Sequence, residues 1–286
     1  RTFFAAPTID DNAREKQVED LVRASLANWQ SDGLAPDMEI EDGKETEGPI
    51  RTRGWTHWHH LFTPRDILVL SLWKKRCAHP ADYLYLALLL DLSSKFCQWL
   101  TADAGKAGGP RDLPNHVFYD QALKGFFNFA IRSGYFHRKT IAGKTLKARP
   151  IPRVSLDVHT AHASDVCREN DIYVTDPPYA DAVRYEEITE FFISWLRRNP
   201  PEPFNEWVWD SRRSLAIRGT GESFRSQMVE AYSALANHMP DNGMQVVMFT
   251  HQDAKVWGDM AGIFWAAGLR VISTWSIATE TTSELK

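Results

Sequence analysis

The stretch Asp171-Ile172-Tyr173-Val174-Thr175-Asp176-Pro177-Pro178-Tyr179 decides how this sequence of 286 residues is interpreted. Residues 171–175 form a short run rich in β-branched and aromatic side chains, which is typical of a strand. Two prolines follow almost directly, and they prevent a helix from starting there because proline restricts both its own backbone and that of the preceding residue. A carboxylate, a backbone carbonyl and an aromatic ring are therefore expected to project from a rigid strand end.

Strands and helices alternate on the C-terminal side of this stretch. Helices are predicted over 183–198, 221–238 and Asp253–Ala267, with Gly268 as the cap of the last, and strands over 245–250 and Leu269–Ile277. Strands separated by helices favour βαβ units and a parallel sheet. The predicted fold class is therefore α/β, and in such open sheets ligands bind beyond the C-terminal ends of the strands. His251 follows the strand at 245–250 and is a candidate neighbour of the residues after Thr175.

The first 150 residues are predicted to be mainly helical. Thr63-Pro64 is a helix start signal, because threonine can accept a bond from a free backbone N–H and proline fits the first helical position. Residues 31–54 lack periodicity and are rich in acidic side chains, which predicts a solvated loop, and the glycines and prolines of 102–114 predict another. Apolar residues at helical spacing predict helices over 9–30, Pro64–Arg76, Pro80–Leu100 and about 117–133. The predicted organisation is a helix plus acidic loop over 1–62, a helical region over 63–150 and an α/β domain over 151–286.

Charge is locally uneven although the whole chain is nearly balanced, with 33 basic and 37 acidic side chains and a net charge of −4. That balance gives no overall sign of a nucleic-acid partner. One stretch without any acid nevertheless contains the basic residues Arg138, Lys139, Lys144, Lys147, Arg149 and Arg153. This basic stretch is a candidate phosphate-facing segment, and an ordinary solvated linker is the alternative.

Several other classes of protein and site are not indicated. No apolar run reaches the roughly 18 residues of a membrane span, so no membrane partner is expected. The few, widely separated cysteines favour reduced thiols and a cytoplasmic location; they are Cys77, Cys97 and Cys167. No metal is predicted, because no zinc finger or ribbon matches the spacing of His57, His59, His60, Cys77 and His79.

The residues after Thr175 suit a planar base that carries an exocyclic amine. The nitrogen of such an amine is a poor nucleophile because its lone pair is delocalised into the ring. Asp176 and the Pro177 carbonyl can accept both N–H hydrogens, which draws the nitrogen toward a tetrahedral form and aims its lone pair at an incoming methyl group. Tyr179 offers a stacking face worth roughly 1–3 kcal/mol per base, which offsets much of the cost of extracting a base from a duplex. A rigid turn without function is the alternative interpretation.

Asp176-Pro177-Pro178-Tyr179 after an apolar strand resembles the motif of the amino-directed DNA methyltransferases, which use S-adenosylmethionine to methylate adenine N6 or cytosine N4. The wider stretch 174–181, followed by Tyr185, Glu187 and Phe191-Phe192, is more similar to one branch. That branch is the large prokaryotic adenine-specific methylases, some of which are associated with anti-phage defence. Three further stretches agree with it: 61–65, 92–99, and 247–251 with Trp257 behind it. The resemblance covers most of the chain from about 60 to 280.

The resemblance implies part of a Rossmann-like, S-adenosylmethionine-dependent methyltransferase sheet, with a mainly helical N-terminal or inserted region that contacts DNA. Adenine N6 in DNA would be the acceptor, and the catalytic motif would be Asp176, Pro177, Pro178 and Tyr179. Tyr185 and Glu187 would line the base pocket, with His251 at the same strand edge. Asp165 lies where the family often has an acidic residue near the cofactor adenine, so Asp165 and Asp176 are the candidate cofactor contacts. The basic stretch becomes the candidate DNA contact, and other subunits of a defence or restriction-modification complex become candidate partners.

The sequence departs from the family in one respect. The glycine-rich cofactor loop, an acidic residue followed by Phe-x-Gly-x-Gly after the first strand, is absent from it. The chain also begins at Arg1 and stops after an apparent strand, so we expect a piece of a longer polypeptide whose cofactor half lies upstream. Cytosine N4 methylation is the nearest alternative, because Asp176, the Pro177 carbonyl and Tyr179 suit either amine. A DNA-binding subunit without activity and an RNA or protein methyltransferase are further alternatives.

Overall fold

The computed structural model describes residues 6–97, 99–100, 113–118, 155, 157–178, 184–211, 213–251 and 253–277. The chain divides into two units. The first comprises Arg1–His159 and Arg184–Ser211, and the second comprises Thr160–Val183 and Arg212–Lys286. The chain thus leaves the first unit, returns to it and leaves it again. The domains predicted over 1–62, 63–150 and 151–286 stay a prediction.

Two helices of the first unit begin at side-chain caps. Helix α1 spans Ile9–Ser31. Thr63 precedes the helix Pro64–Arg76, and its hydroxyl accepts from the Asp66 N–H at 3.2 Å while the Asp66 carboxylate accepts from the Thr63 N–H at 3.2 Å. This reciprocal pair is a capping box, which satisfies backbone donors that have no partner inside the helix. The helices predicted over 9–30 and Pro64–Arg76 are confirmed.

A short helix lies inside the segment that was predicted to be a solvated acidic loop. This helix, α2, spans Glu47–Arg53, and Pro64–Arg76 is therefore α3. Thr46 precedes α2 and is 2% exposed, with its hydroxyl donating to the Glu41 carbonyl at 2.7 Å. The loop prediction was wrong here because the segment is held by contacts that its lack of periodicity does not reveal.

The next helix is shorter than predicted. Helix α4 spans Pro80–Asp91, not Pro80–Leu100. The Asp91 carboxylate accepts from the Val117 N–H at 3.4 Å, and the Ser94 hydroxyl accepts from the Phe96 N–H at 3.1 Å. Serine side chains that bond nearby backbone compete with helix formation, so the chain turns after Asp91. Strand β1 (Trp99–Leu100) then pairs antiparallel with β2 (Leu113–Pro114), which lies in the predicted loop 102–114.

Two helices from a later part of the chain complete the core of the first unit. They are α5 (Tyr185–Ile188) and α6 (Glu190–Leu196), in place of the single helix predicted over 183–198. Phe191 is 0% exposed and stacks on Phe62, with ring centroids 5.2 Å apart. The same core buries Trp58, Leu61, Leu70, Leu86, Leu89, Leu90, Phe96 and Trp195.

The second unit contains a pair of parallel strands. Strand β3 (Ile172–Thr175) lies beside β4 (Met244–Val247), with Thr175 opposite Val247. Helices α7 (Gly221–Asn237) and α8 (Ala254–Ala266) pack together and supply most of the core of this unit. Asp253 caps α8, and Gly268 follows it with a φ of +82°, a conformation that glycine adopts without strain. The strands predicted at 171–175 and 245–250 and the helices predicted at 221–238 and Asp253–Ala267 are confirmed, within a few residues at their ends.

One face of this strand pair is covered and the other is exposed. Tyr173 and Val247 pack against the core of α7 and α8. Ile172 and Val174, on the opposite face, are 62% and 63% exposed. The strand predicted over Leu269–Ile277 is not formed, since these residues have no β pairing. A strand requires a neighbour, and the local sequence pattern does not supply one. The larger Rossmann-like sheet stays a prediction.

None of the helices among the described residues is both long and apolar enough to cross a membrane.

Candidate functional site

The C-terminal ends of β3 and β4 place two loops side by side. Asp176, Pro177 and Pro178 follow β3, and residues 248–251 follow β4. The two strand ends are joined because the Met248 N–H donates to the Thr175 carbonyl at 2.8 Å. The predicted site residues Asp176 and His251 therefore lie at the same edge of the sheet, which is where open α/β sheets bind ligands.

The turn after β3 combines an exposed carboxylate with a buried proline. Asp176 and Pro178 are exposed, whereas Pro177 is buried. Pro177 holds the turn in place in two ways: its backbone dihedral angle φ is restricted, and its ring is buried. Asp176 is presented to solvent from this fixed position. Tyr179, the remaining residue of the predicted motif, lies outside the described residues.

Three side chains beneath the turn were not predicted from the sequence. The Thr175 hydroxyl accepts from the Gln245 amide at 2.9 Å and lies 3.2 Å from the hydroxyl oxygen of Tyr232. Tyr232 is 2% exposed, and its burial raises its pKa, an effect that the Asp176 charge adds to. Thr175 could have been suspected because it directly precedes the motif. Nothing in the local sequence around Tyr232 or Gln245 indicates that either residue contacts Thr175.

His251 is held by the loop that follows β4. Its Nδ1 accepts from the Asp253 N–H at 3.0 Å, and its carbonyl accepts from the Trp257 indole N–H at 2.9 Å. Trp257 also packs edge-to-face on Phe249, with ring centroids 5.0 Å apart. A neutral imidazole whose Nδ1 accepts a bond carries its proton on Nε2. His251 is thus oriented as an Nε2–H donor at the sheet edge.

No family model matches the chain, and neither a curated protein nor a solved structure does.

Of the other predicted site residues, Asp165 belongs to the second unit, and Tyr185 and Glu187 belong to the first. Asp165 is exposed and ends the 3-10 turn Ala163–Asp165 of the second unit. Tyr185 and Glu187 belong to the first unit, on α5. Tyr185 is 67% exposed, and Glu187 is 6% exposed.

Glu187 is bound within the first unit. Its carboxylate accepts from the Glu45 N–H at 2.8 Å and lies 3.8 Å from the Arg184 guanidinium. A Cβ on Gly43 would come within 2.3 Å of the Glu187 carboxylate, so a larger residue there would force the carboxylate to move. Glu187 thereby fixes the loop that leads into α2. Its place in a base pocket stays a prediction.

The predicted DNA contact, formed by Arg138, Lys139, Lys144, Lys147, Arg149 and Arg153, lies outside the described residues. Within the part of the chain that is described, no group of three or more histidine, cysteine, aspartate or glutamate side chains is arranged to hold a metal.

The sheet edge can be compared with the two ends of S-adenosylmethionine, the cofactor that the sequence predicts. Asp176 is an exposed carboxylate and suits the positively charged end of this donor. Neither described strand of the parallel pair leads into a glycine, since Asp176 follows β3 and Met248 follows β4. A glycine-rich turn is what would let the backbone approach the adenosine end closely. The described strand ends therefore offer a carboxylate that a cationic group could face, and no glycine-rich turn for the adenosine end.

Proposed function

We propose that this chain transfers a methyl group from S-adenosylmethionine to adenine N6 in DNA. The observation that carries the proposal is the exposed Asp176 carboxylate on a turn anchored by buried Pro177, at the C-terminal end of a parallel strand. The motif to which this turn belongs resembles that of the amino-directed DNA methyltransferases.

The chemistry requires a better nucleophile than an aromatic amine. Asp176 and the Pro177 carbonyl accept the two N–H hydrogens of the amine, which localises its lone pair on nitrogen. A hydrogen bond to a charged acceptor contributes about 1.5–3 kcal/mol. When bound, S-adenosylmethionine would supply an electrophilic methyl group, and the electron pair of the bond between methyl and sulfur would remain on sulfur. The new N–C bond uses the nitrogen lone pair, and the surplus proton leaves the nitrogen through Asp176 to solvent.

Binding and placement supply the remainder of the rate enhancement. Tyr179 stacks on the extracted base, and His251, whose Nδ1 accepts from the Asp253 N–H, can donate from Nε2. Holding the amine in line with the methyl group converts a bimolecular step into an effectively unimolecular one. Catalysis in this proposal rests on positioning and on charge, without a covalent intermediate on the protein.

DNA is the proposed partner because the basic stretch at 138–153 suits phosphate. Neutralising Lys144, Lys147 and Arg149 should weaken DNA binding and flatten its dependence on salt. An unchanged slope of log affinity against log salt would remove these residues from the interface. Further subunits of a defence or restriction-modification complex are proposed partners on the resemblance alone.

A reducing, cytoplasmic location is proposed from the thiols. Cys77, Cys97 and Cys167 are all free. Burial raises the pKa of Cys77 to about 11 and that of Cys97 to about 12, so both stay protonated at neutral pH. Protonated thiols are poor nucleophiles, and this favours a packing role for both over a catalytic one.

The test is mass spectrometry of nucleosides from unmodified DNA after incubation with the chain and S-adenosylmethionine. The expected product is N6-methyladenine, lost in Asp176→Ala. Asp171→Ala is the matched control, because it removes the same charge from an exposed position just before the other end of β3. Detection of N4-methylcytosine instead would show that cytosine N4 is the acceptor. Equal product from wild type and Asp176→Ala would contradict the mechanism.

A further inference from the structure

The end of β3 is held by a small polar network that the catalytic motif does not include. Thr175 is the last residue of β3 and the one directly before Asp176. Its hydroxyl accepts from the Gln245 amide of β4 at 2.9 Å and lies 3.2 Å from the Tyr232 hydroxyl of α7. Its carbonyl accepts from the Met248 N–H at 2.8 Å. The residue before Asp176 is thus bound to β4, to α7 and to the loop after β4.

The Tyr232 hydroxyl is buried, so its hydrogen-bond partner must come from the protein and not from water. The side chain is 2% exposed, and its ring packs edge-to-face on Phe264 with centroids 5.1 Å apart. A buried hydroxyl without a hydrogen bond costs free energy, and Thr175 provides that bond. Because burial raises the pKa of Tyr232, the hydroxyl remains protonated and neutral beside the Asp176 charge. The hydroxyl therefore keeps its hydrogen bond to Thr175 at neutral pH.

We propose that Tyr232 is a positioning residue that acts through the Thr175 hydroxyl to fix the direction of the Asp176–Pro177 turn. The inference rests on the proposed function. A hydrogen bond on each side of Thr175 Oγ1 restricts its side-chain rotation, and this restriction is passed to the backbone that leads into Asp176. The Asp176 carboxylate and the Pro177 carbonyl must be held together in a productive geometry, and a misplacement of about 1 Å can cost roughly 100-fold in rate.

A second tyrosine provides a matched control at the other end of the same unit. The Tyr173 hydroxyl, which also lies on the covered face, is 2.7 Å from the Arg168 carbonyl, to which it donates, and 3.1 Å from the His238 carbonyl. These partners lie before the start of β3 and after the end of α7, away from the turn. Tyr173→Phe and Tyr232→Phe each remove one hydroxyl from a partly or fully buried ring. Only the second should disturb the catalytic turn.

The kinetic test compares the two variants in the methyl-transfer assay. Tyr232→Phe should lower kcat about tenfold with KM for DNA and for the donor unchanged. Tyr173→Phe should leave kcat at the wild-type value. Thr175→Ser, which keeps the hydroxyl, should retain activity. Thr175→Val should lose at least as much as Tyr232→Phe, because it removes the bond to Gln245 as well as the bond to Tyr232. The double variant Tyr232→Phe with Thr175→Val should lose little more than Thr175→Val alone, because both changes remove the bond between Thr175 and Tyr232.

Equal kcat for wild type and Tyr232→Phe, or equal losses in the two tyrosine variants, would overturn the inference. A second readout keeps it testable if the wild-type chain transfers no methyl group, an outcome that would count against the proposed function. Hydrogen exchange of the Met248 amide should be faster in Tyr232→Phe, and exchange of the Met244 amide, which donates to the Asp171 carbonyl at 2.8 Å, should not be. An unchanged Met248 amide would overturn the positioning role independently of activity.

Discussion

The two units of this chain bury their side chains in different ways. The first has a core of large aromatic and aliphatic residues and also buries polar groups, among them Lys74, Glu187 and Glu190. The second has a thinner core, which lies between two helices and one face of a strand pair. Of the buried polar and charged residues in the described parts of the chain, all except Arg213 lie in the first unit.

The buried polar groups of the first unit hold its helices together, whereas the polar groups of the second unit gather near the proposed site. In the first unit, buried polar groups bind the chain to itself: the Lys74 ammonium donates to the Trp195 carbonyl, and the Tyr83 hydroxyl donates to the Leu196 carbonyl. Both bonds join helices that are far apart in sequence. In the second unit, polar side chains gather at the strand ends, where Thr175 and Asp176 meet the loop after β4. We infer that mutations in the first unit act mainly on stability and those at this edge mainly on activity.

The largest expected effect comes from breaking the aromatic core of the first unit. Phe191 is 0% exposed and contacts Phe62, Trp58 and Phe118, with ring centroids 5.2, 6.1 and 5.5 Å away. Phe191→Ala should lower the free energy of unfolding by about 3–5 kcal/mol, because the cavity it leaves cannot close fully. Denaturant titration measures the loss. Trp265→Ala in the second unit, at a 72% exposed position, is the control and should change stability by less than about 0.5 kcal/mol.

A smaller effect should decide whether Glu187 belongs to the scaffold or to the pocket. Glu187→Ala removes a charged acceptor from the Glu45 N–H and should cost about 1.5–3 kcal/mol of stability. Gly43→Ala should destabilise the same contact, because its Cβ would lie 2.3 Å from the carboxylate. The combined loss should be less than the sum. If Glu187 lines the base pocket instead, kcat will fall while the unfolding midpoint stays the same.

The third effect depends on pH and belongs to the first unit alone. Burial, and then the charges of His60, His57 and Lys95, lower the pKa of His59 to about 4 from an unfolded value of 6.5. The unfolded chain therefore takes up a proton on this ring before the folded chain does. Stability should be complete above about pH 6.5 and decline as pH falls toward 4. Because the ring is partly solvated, we expect about 1–2 kcal/mol and not the full value for a buried group.

Urea unfolding at pH 7 and pH 5 measures this decline. His59→Gln removes the titrating ring and should flatten the pH dependence, whereas His159→Gln changes an exposed histidine of the same unit and should leave it as in wild type. An equally steep decline in His59→Gln would show that another group carries the effect.

Local signals in the sequence predicted those elements that local interactions determine. Thr63 and Pro64 predicted the start of α3 to the residue, and Gly268 marked the end of α8. The sequence also predicted that Asp176 and His251 lie at one sheet edge, because parallel strands place their C-terminal ends together. These predictions require only neighbours in sequence or a known strand direction.

Predictions failed where distant residues decide the structure. Helix α4 ends at Asp91, whose carboxylate is bound by Val117, and α2 forms in a segment that is fixed by Glu187. Tyr232 reaches Thr175 across 57 positions of the sequence, and no periodicity reports such a contact. For the same reason the return of α5 and α6 to the first unit was not foreseen. Local pattern identifies helices and strands, whereas the partners of buried polar groups come from the fold.

The smallest expected effect tests the exposed face of the strand pair. Parallel strands are usually covered on both faces, yet Val174 is 63% exposed. Val174→Thr keeps the β-branched shape and should change the free energy of unfolding by less than about 0.5 kcal/mol, because its added hydroxyl reaches water. Val247→Thr on the covered face is the matched variant and should cost about 1–2 kcal/mol, because its hydroxyl is partly buried. Equal losses in the two variants would mean that the face at Val174 is covered in solution, and the difference between the two units would then be smaller than their buried residues indicate.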